Sequence, residues 1–322
     1  MFPGSSRLSD WFRRQSRSPG FATCLLVIGL VGCQPRDASL ADDGSSRAGN
    51  GQGPGVPAEF PVVAGIADLG DARIEYFVQG QGRPIVLLPG GGLSTEYLRP
   101  LALELARAGH QAIRINPRGA GESRGPSESV TLHTLAADVI GVLDALEVDR
   151  ADIAGHAFGN RVARTVEHDA PERVRSVILL AAGGVVEPAA DAARALGLVF
   201  DPDATDEQIL EAMRYMVGDP DDAASSWALL RPSRFPAAAA VVGIASQTPD
   251  DSWARPSGRN PMLVVQGTAD QVAPRENGEI LKQELGDLVD LVDIPGGGHL
   301  MVINHASETT AAILSFLDSR FE

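Results

Sequence analysis

The chain has 322 residues, of which 44% are hydrophobic and 21% charged, as in ordinary folded globular proteins. Its net charge of −15 opposes binding to nucleic-acid phosphates, so no nucleic-acid partner is expected, and it favours a small neutral or apolar ligand. Both cysteines, Cys24 and Cys33, lie near the N-terminus, which leaves the remainder without a disulfide, a thiol nucleophile or a zinc motif. Neither a metal nor a cofactor is predicted.

Residues 1–32 have the pattern of an export signal. Four arginines precede an apolar run at residues 21–31, which has the length of a signal-peptide core and is short for a membrane span. The run leads into residues 30–33 (LVGC), which resemble the bacterial lipobox. That resemblance implies cleavage before Cys33, lipid attachment to its sulfur, and anchoring of the exported protein to the bacterial cell envelope. An ordinary signal peptide or an uncleaved N-terminal anchor is the alternative.

Residues 33–60 form a flexible tether in this interpretation, because Asp, Gly, Ser, Pro and Ala dominate and no apolar period appears. From there to the C-terminus, strand and helix patterns alternate. Strands are predicted at residues 73–78, 85–88, 111–116, 151–154, 174–181, 262–266 and 288–294, and helices at residues 97–108, 131–146, 160–169 and 308–317. This alternation predicts an α/β domain over residues 61–322, with a mostly parallel sheet covered by helices on both faces.

The alternation stops at about residues 183–260, a stretch that is helical, proline-rich and acidic at its centre. It is too long for a loop inside a compact core. We interpret it as an inserted helical cap over the carboxyl edge of the sheet, where open α/β sheets bind ligands. Met213 and Met216 within it are expected to be core residues, although a cap could also use them to contact an apolar substrate.

Residues 155–159 (GHAFG) lie between a predicted strand and a predicted helix. This pattern resembles the Gly-x-nucleophile-x-Gly elbow of the α/β-hydrolase fold family, in which the flanking glycines let strand and helix approach closely. Ala157 occupies the position that the family gives to the nucleophile. Its methyl group cannot attack a carbonyl, so a covalent acyl-enzyme at this residue is excluded. His156 is expected to point into the core.

The same resemblance covers about residues 62–320 and implies further site residues. Asp270 and His299 follow two successive strands, where the family places its acid and its histidine. Asp270 would orient and stabilise the His299 imidazole. The amides of Gly91 and Phe158 would form the oxyanion hole.

Two loops depart from the family pattern. Residues 116–123 (NPRGAGES) have Asn where the family has Asp, and the glycine loop begins with Pro89 rather than His. Of the remaining histidines, His305 is a rival base ranked below His299. His110, His133 and His168 are interpreted as surface or packing residues.

Three functions fit this sequence. The first is catalysis by a His299–Asp270 dyad and an oxyanion hole without a serine nucleophile, either as a hydrolase or as a histidine-dependent lyase or cofactor-free oxygenase. The second is a membrane-anchored pseudo-hydrolase that binds a ligand without turnover. The third is a serine esterase in which Ala157 is a substitution of the natural residue. An activated lactone, an acidic carbon or an enol suits the first function better than an ordinary ester, because loss of the covalent nucleophile slows attack on ordinary esters by orders of magnitude.

Overall fold

A computed structural model describes residues 60–184, 186–254 and 257–321. The predicted export signal, the lipid attachment at Cys33 and nearly all of the predicted tether lie outside these residues. Within them, no helix combines the length and the apolar character needed to cross a membrane.

The centre of the described domain is an eight-stranded sheet with the strand order β1-β2-β4-β3-β5-β6-β7-β8. The strands are β1 Val62–Asp68, β2 Arg73–Gln79, β3 Arg83–Leu88, β4 His110–Ile115, β5 Ala151–His156, β6 Val174–Leu180, β7 Met262–Gly267 and β8 Val289–Ile294. Strand β2 pairs antiparallel with β1 and β4, and all the other pairs are parallel. The predicted fold class is therefore confirmed.

Helices cover both faces of this sheet. They are α1 Arg99–Arg107, α2 Leu132–Ala145, α3 Gly159–Asp169, α4 Ala190–Phe200, α5 Asp206–Met213, α6 Ala223–Leu230, α7 Pro236–Ala245, α8 Glu276–Leu285, α9 Met301–Asn304 and α10 Ala306–Phe321. Helices α4 to α7, here called the helical insertion, follow β6 and precede β7. They lie within the predicted cap segment, where Met213 and Met216 are both buried in a hydrophobic core.

Neighbouring residues of a buried strand supply two separate hydrophobic cores. In β3, Val86 and Leu88 belong to the core beneath α2, α3 and α8, whereas Ile85 and Leu87 belong to the core beneath α1, α10 and helices α4 to α6. This division follows from the alternation of side chains across a strand. Because both faces are buried, the central strands have wholly apolar runs rather than alternating ones.

Strand β1, helix α8 and the short helix α9 were not predicted from the sequence. Strand β1 lies at the edge of the sheet and most of its side chains are at least partly exposed, so its apolar pattern is weak. The first turn of helix α8 contains Asn277 and Gly278, which are poor helix formers. A Cβ atom on Gly278 would lie 2.7 Å from a methyl carbon of Leu291, so close packing against β8 favours glycine there. Parallel β7 and β8 need such a crossover helix between them.

Candidate active site

The turn between β5 and α3 is sharp, and its geometry depends on two glycines. A Cβ atom on Gly155 would lie 2.2 Å from the carbonyl oxygen of Gly159, and one on Gly159 would lie 2.6 Å from the carbonyl oxygen of Leu88. Between them, Ala157 has a φ of 49°, in the left-handed region that residues with a Cβ atom rarely adopt. The amide of Ala157 donates to the carbonyl of Leu180 in the adjacent strand β6. The apex of this turn therefore bears a partly exposed methyl group.

The structure brings Asp270 and His299 together at the ends of β7 and β8. The Nδ1 atom of His299 lies 3.0 Å from Oδ2 of Asp270, and both side chains are almost completely buried. The other carboxylate oxygen of Asp270 accepts hydrogen bonds of 2.8 Å from the amides of Val272 and Ala273. These donors hold the carboxylate in place. Nδ1 of His299 is consequently the nitrogen that carries the proton when the ring is neutral.

The second ring nitrogen of His299, Nε2, is available to accept a proton. No described residue makes a hydrogen bond to it. A neutral imidazole with its Nδ1 proton bonded to a carboxylate has a lone pair at Nε2, which can remove a proton from water or substrate. The pair is thus able to act as a general base and to return the proton as a general acid.

His156 connects this base to the turn. Its Nε2 donates to the backbone carbonyl of His299 at 2.8 Å, and the centroids of the two rings are 5.1 Å apart. Burial lowers the pKa of His156 to about 3, so the ring is neutral and carries one proton. His156 is 2% exposed, as its predicted position in the core requires.

Tyr97 extends this connection to the glycine loop. Its hydroxyl donates to Nδ1 of His156 at 2.8 Å and accepts a hydrogen bond of 2.8 Å from the amide of Gly90. Burial raises the pKa of Tyr97, which keeps the hydroxyl protonated. The sequence pattern predicts Tyr97 only as the start of a helix, because a contact between residues 59 positions apart leaves no local pattern.

The glycine loop after β3 lies beside the start of α3. A Cβ atom on Gly91 would lie 3.5 Å from Cβ of Phe158, so these two predicted residues are neighbours. No described residue accepts a hydrogen bond from the backbone amide of either one. Two adjacent unpaired amides can stabilise a negative charge that develops on a bound oxygen atom.

The helical insertion covers the glycine loop with apolar side chains. A Cβ atom on Gly91 would lie 3.2 Å from a methyl carbon of Val242, and one on Gly92 would lie 3.1 Å from Ala239 and 3.4 Å from the ring of Phe200. Helices α4 and α7 therefore supply an apolar wall above the unpaired amides. Charged side chains of the insertion do not take part in these contacts.

The insertion also contacts the loop that carries His299. The amide of Leu300 donates to the carbonyl of Met216 at 2.9 Å. A Cβ atom on Gly218 would lie 1.6 Å from the carbonyl oxygen of Gly296, so the two backbones touch directly. The insertion thus packs on the glycine loop and on the loop that carries His299.

Asn116, the departure from the family pattern, has a structural role. Its Oδ1 accepts hydrogen bonds of 2.7 and 2.8 Å from the amide and hydroxyl of Thr95, and its Nδ2 donates to Glu75 at 2.7 Å. A carboxylate at this position would face the carboxylate of Glu75 without a proton between them. An amide side chain satisfies both partners, which explains why Asn stands here.

The rival base His305 does not join the dyad. Its Nδ1 lies 3.7 Å from Oε1 of Glu308 on α10. Within the described ranges, no three side chains of His, Cys, Asp or Glu are grouped closely enough to hold a metal ion.

Comparison with known families identifies the fold independently of this geometry. Residues 83–306 match the family model described as the alpha/beta hydrolase fold. The chain belongs to the α/β-hydrolase fold family. The order of elbow, acid and histidine along the chain agrees with this membership.

Several relatives of this chain are named as hydrolases. A protein of Azorhizobium caulinodans that carries the name carbamate hydrolase RutD is 37% identical over 111 residues, which are 34% of this chain and 42% of that protein. The 2-hydroxymuconate semialdehyde hydrolase of Pseudomonas sp. strain CF600 is 27% identical over 274 residues, covering 81% of this chain and 96% of that protein. The chain therefore spans less than half of the first relative and nearly all of the second.

A solved α/β hydrolase shares the architecture. The 2-hydroxy-6-oxo-6-phenylhexa-2,4-dienoate hydrolase of Rhodococcus sp. strain RHA1 superposes with a TM-score of 0.64 at 20% identity, covering 80% of this chain and 98% of that chain. At this identity the likeness describes the fold alone.

Proposed function

We propose that this α/β hydrolase acts on a small neutral or apolar substrate through His299 and Asp270, without a covalent serine step. The observation that carries the proposal is the buried 3.0 Å contact between His299 and Asp270, next to a turn whose apex bears only the Ala157 methyl. In this proposal Ala157 stands at the nucleophile position of the fold. Compared with the usual residues of this fold, the proposed site keeps the acid Asp270, the base His299 and two amide donors, and it lacks only an atom that can attack the substrate.

In the proposed mechanism, Nε2 of His299 removes a proton from a bound water or from an acidic C–H or O–H group of the substrate. Asp270 stabilises the imidazolium that forms, since its carboxylate bonds Nδ1. The negative charge that develops on the substrate oxygen is stabilised by the amides of Gly91 and Phe158. In hydrolysis the deprotonated water forms a bond to the carbonyl carbon, the bond to the leaving group breaks, and the imidazolium gives its proton to that group. With an acidic C–H or O–H substrate the imidazolium returns the proton to carbon.

Two observations support the substrate class. The wall formed by Phe200, Ala239 and Val242 is apolar, and the chain is strongly acidic. A neutral or apolar molecule therefore binds there with less electrostatic repulsion than an anion and less desolvation cost than a charged one. An activated lactone, a carbon acid or an enol is favoured because attack by water on an ordinary ester would be slow without a covalent intermediate. One relative is named for 2-hydroxymuconate semialdehyde, which carries an enol hydroxyl.

The test is a turnover assay of the full-length protein on a panel of lactones, enolisable ketones and esters. General-base catalysis contributes about 10²- to 10⁴-fold, so His299→Gln is expected to lower kcat by that factor while the fold is retained. The matched control His305→Gln, which changes a histidine outside the dyad, is expected to keep full activity. Turnover that survives His299→Gln would contradict the proposal.

A ligand-binding role without turnover is the second candidate, and the Ala157 methyl is the observation that favours it. In that case His299→Gln leaves ligand affinity unchanged, and no substrate of the panel is consumed by either protein. If Ala157 is instead a substitution of a natural serine, Ala157→Ser restores esterase activity on short aryl esters.

We also propose that the protein is exported and held at the cell envelope by lipid on Cys33. Residues 30–33 support this by their resemblance to the lipobox, and multiple acyl chains on one residue give stable anchoring. Expression with a radiolabelled fatty acid tests it, with Cys24→Ala as the matched control. We expect Cys33→Ala to abolish labelling and Cys24→Ala to retain it. Equal labelling of both variants would exclude Cys33 as the anchor.

A further inference from the structure

A second chain of serine, histidine and carboxylate contacts lies outside the candidate active site. Nε2 of His133 is 3.1 Å from Oγ of Ser252, and its Nδ1 is 2.8 Å from Oδ2 of Asp169 and 3.0 Å from Oδ1. His133 lies at the start of α2 and Asp169 at the end of α3. Ser252 ends a 3₁₀ turn, Asp250–Ser252, in the segment that returns from the insertion to the sheet.

A hydrogen bond between buried groups fixes the segment that carries Ser252. The hydroxyl of Thr248 accepts a hydrogen bond of 2.9 Å from the amide of Leu132, the residue before His133. Thr248 and Leu132 are both buried, so this bond is shielded from water. Ser252 and His133 are 119 positions apart in the chain, and their contact therefore depends on the tertiary fold.

The protonation states suit nucleophilic activation. Both oxygens of Asp169 face Nδ1 of His133, so in the neutral ring the proton is on Nδ1 and Nε2 is the acceptor. The Ser252 hydroxyl has one proton, which it can share with Nε2 or with the carbonyl of Pro249 at 2.7 Å. Sharing it with Nε2 is the arrangement in which a general base activates a serine.

We propose that Ser252, His133 and Asp169 form a second nucleophilic centre, whose Ser252 oxygen reacts with activated acyl or phosphonyl esters. Ser252 is half-buried and the His133 and Asp169 side chains are 36% and 34% exposed, so the group is open to solvent and to a small electrophile. Oγ of Ser252 forms a bond to the carbonyl carbon or to phosphorus, and its proton passes to Nε2 of His133. The bond to the leaving group breaks, and that group departs as an alcohol that takes the proton, or as fluoride with the proton released to solvent.

This centre lacks the donors needed for rapid turnover. The amide of Ser252 bonds the carbonyl of Pro249, and the amide of Trp253 bonds that of Asp250. These nearest amides are therefore not available to stabilise an oxyanion. The expected reaction is a single modification of Ser252 by reactive donors rather than hydrolysis of ordinary esters.

The experiment treats the full-length protein with a fluorophosphonate and follows adduct formation at each serine by peptide mass spectrometry. Ser225 is the internal reference, because it is exposed and its Oγ bonds the carbonyl three residues earlier, as Ser252 does, without an imidazole beside it. We expect Ser252 to react about 100-fold faster than Ser225, and His133→Gln to remove that advantage. Asp169→Asn is expected to slow the reaction, and Ser252→Ala to remove the adduct.

His299→Gln separates this proposal from the proposed function, because it changes the dyad and is expected to leave Ser252 labelling intact. All variants are compared only after their unfolding transitions match that of the parent protein. A Ser252 rate no higher than that of Ser225, or a high rate that persists in His133→Gln, would overturn the proposal.

Discussion

The protein contains two histidine–carboxylate pairs whose surroundings differ. His299 and Asp270 are buried, and a hydrogen bond from His156 links His299 to the turn at Ala157, which has no nucleophile. His133 and Asp169 are partly exposed, and His133 contacts the Ser252 hydroxyl, but the amides near that serine are already bonded. In the proposed functions, the buried pair would supply a base near oxyanion donors, whereas the exposed pair would supply a base beside a nucleophile. A histidine–carboxylate contact alone therefore does not define an activity; the groups around it do.

The largest effect is expected from Ala157→Ser, which adds a hydroxyl to the buried pair. Phosphonate labelling at this position should then exceed that of Ser252 by about 10²- to 10³-fold, because the amides of Gly91 and Phe158 stabilise the developing oxyanion. Mass spectrometry of the labelled peptides measures both rates in one sample. A folded Ala157→Ser protein that does not react at residue 157 would show that the dyad does not serve this turn.

The second prediction concerns the pH dependence of stability near the buried pair. The pKa of His156 is about 3 in the folded protein and near its ordinary value of 6.5 when unfolded, so between these values the unfolded chain binds the extra proton. Stability is therefore fully present above about pH 6.5 and falls with decreasing pH toward 3, by up to about 1.4 kcal/mol per pH unit from this residue. Urea unfolding from pH 7 to pH 4 measures the slope. His156→Gln should reduce that slope, and an unchanged slope would mean that His156 titrates normally.

The third prediction tests the Tyr97 hydroxyl, which joins the glycine loop to His156. Tyr97→Phe leaves the amide of Gly90 and Nδ1 of His156 without their partner in a buried site. We expect a loss of about 1–3 kcal/mol in the free energy of unfolding, measured in urea at pH 7. Tyr215→Phe is the control, since Tyr215 lies on the insertion and is only partly buried. Equal losses in both variants would show that the Tyr97 hydroxyl stabilises the fold no more than the Tyr215 hydroxyl does.

The smallest effect is expected at the exposed pair. Asp169→Asn should change the free energy of unfolding by less than about 1 kcal/mol, because exposed ion pairs contribute little. The same urea experiment measures it. A loss of several kcal/mol would show that the contact with His133 is needed for folding, and the proposed reactivity of Ser252 would then have to be tested through Ser252→Ala alone.

Sequence patterns predicted most of the sheet, and they singled out two residues, Asp270 and His299, that are neighbours in the fold. The apolar runs of the central strands and the glycines at positions 155 and 159 act locally, so their consequences can be inferred from neighbouring residues. Asp270 and His299 were identified through the family order of motifs, and the structure places their side chains in contact.

Such local patterns do not predict contacts between residues that are far apart in the chain. The bond between Tyr97 and His156, and the bond between His133 and Ser252, join residues 59 and 119 positions apart. His133 was interpreted as a surface or packing residue because nothing near it in the sequence indicates Asp169 or Ser252. The edge strand β1 and helix α8 were missed for a different reason, since exposure and weak helix formers obscure their periodicity.

The crowding at positions 155 and 159 limits which residues of the turn can change during evolution. Side chains are barred from both flanks of the turn, while the apex between them already holds a Cβ atom in a left-handed backbone. A codon for alanine differs from one for serine by a single base. The scaffold can therefore gain or lose an attacking oxygen in one mutational step while the surrounding architecture stays intact.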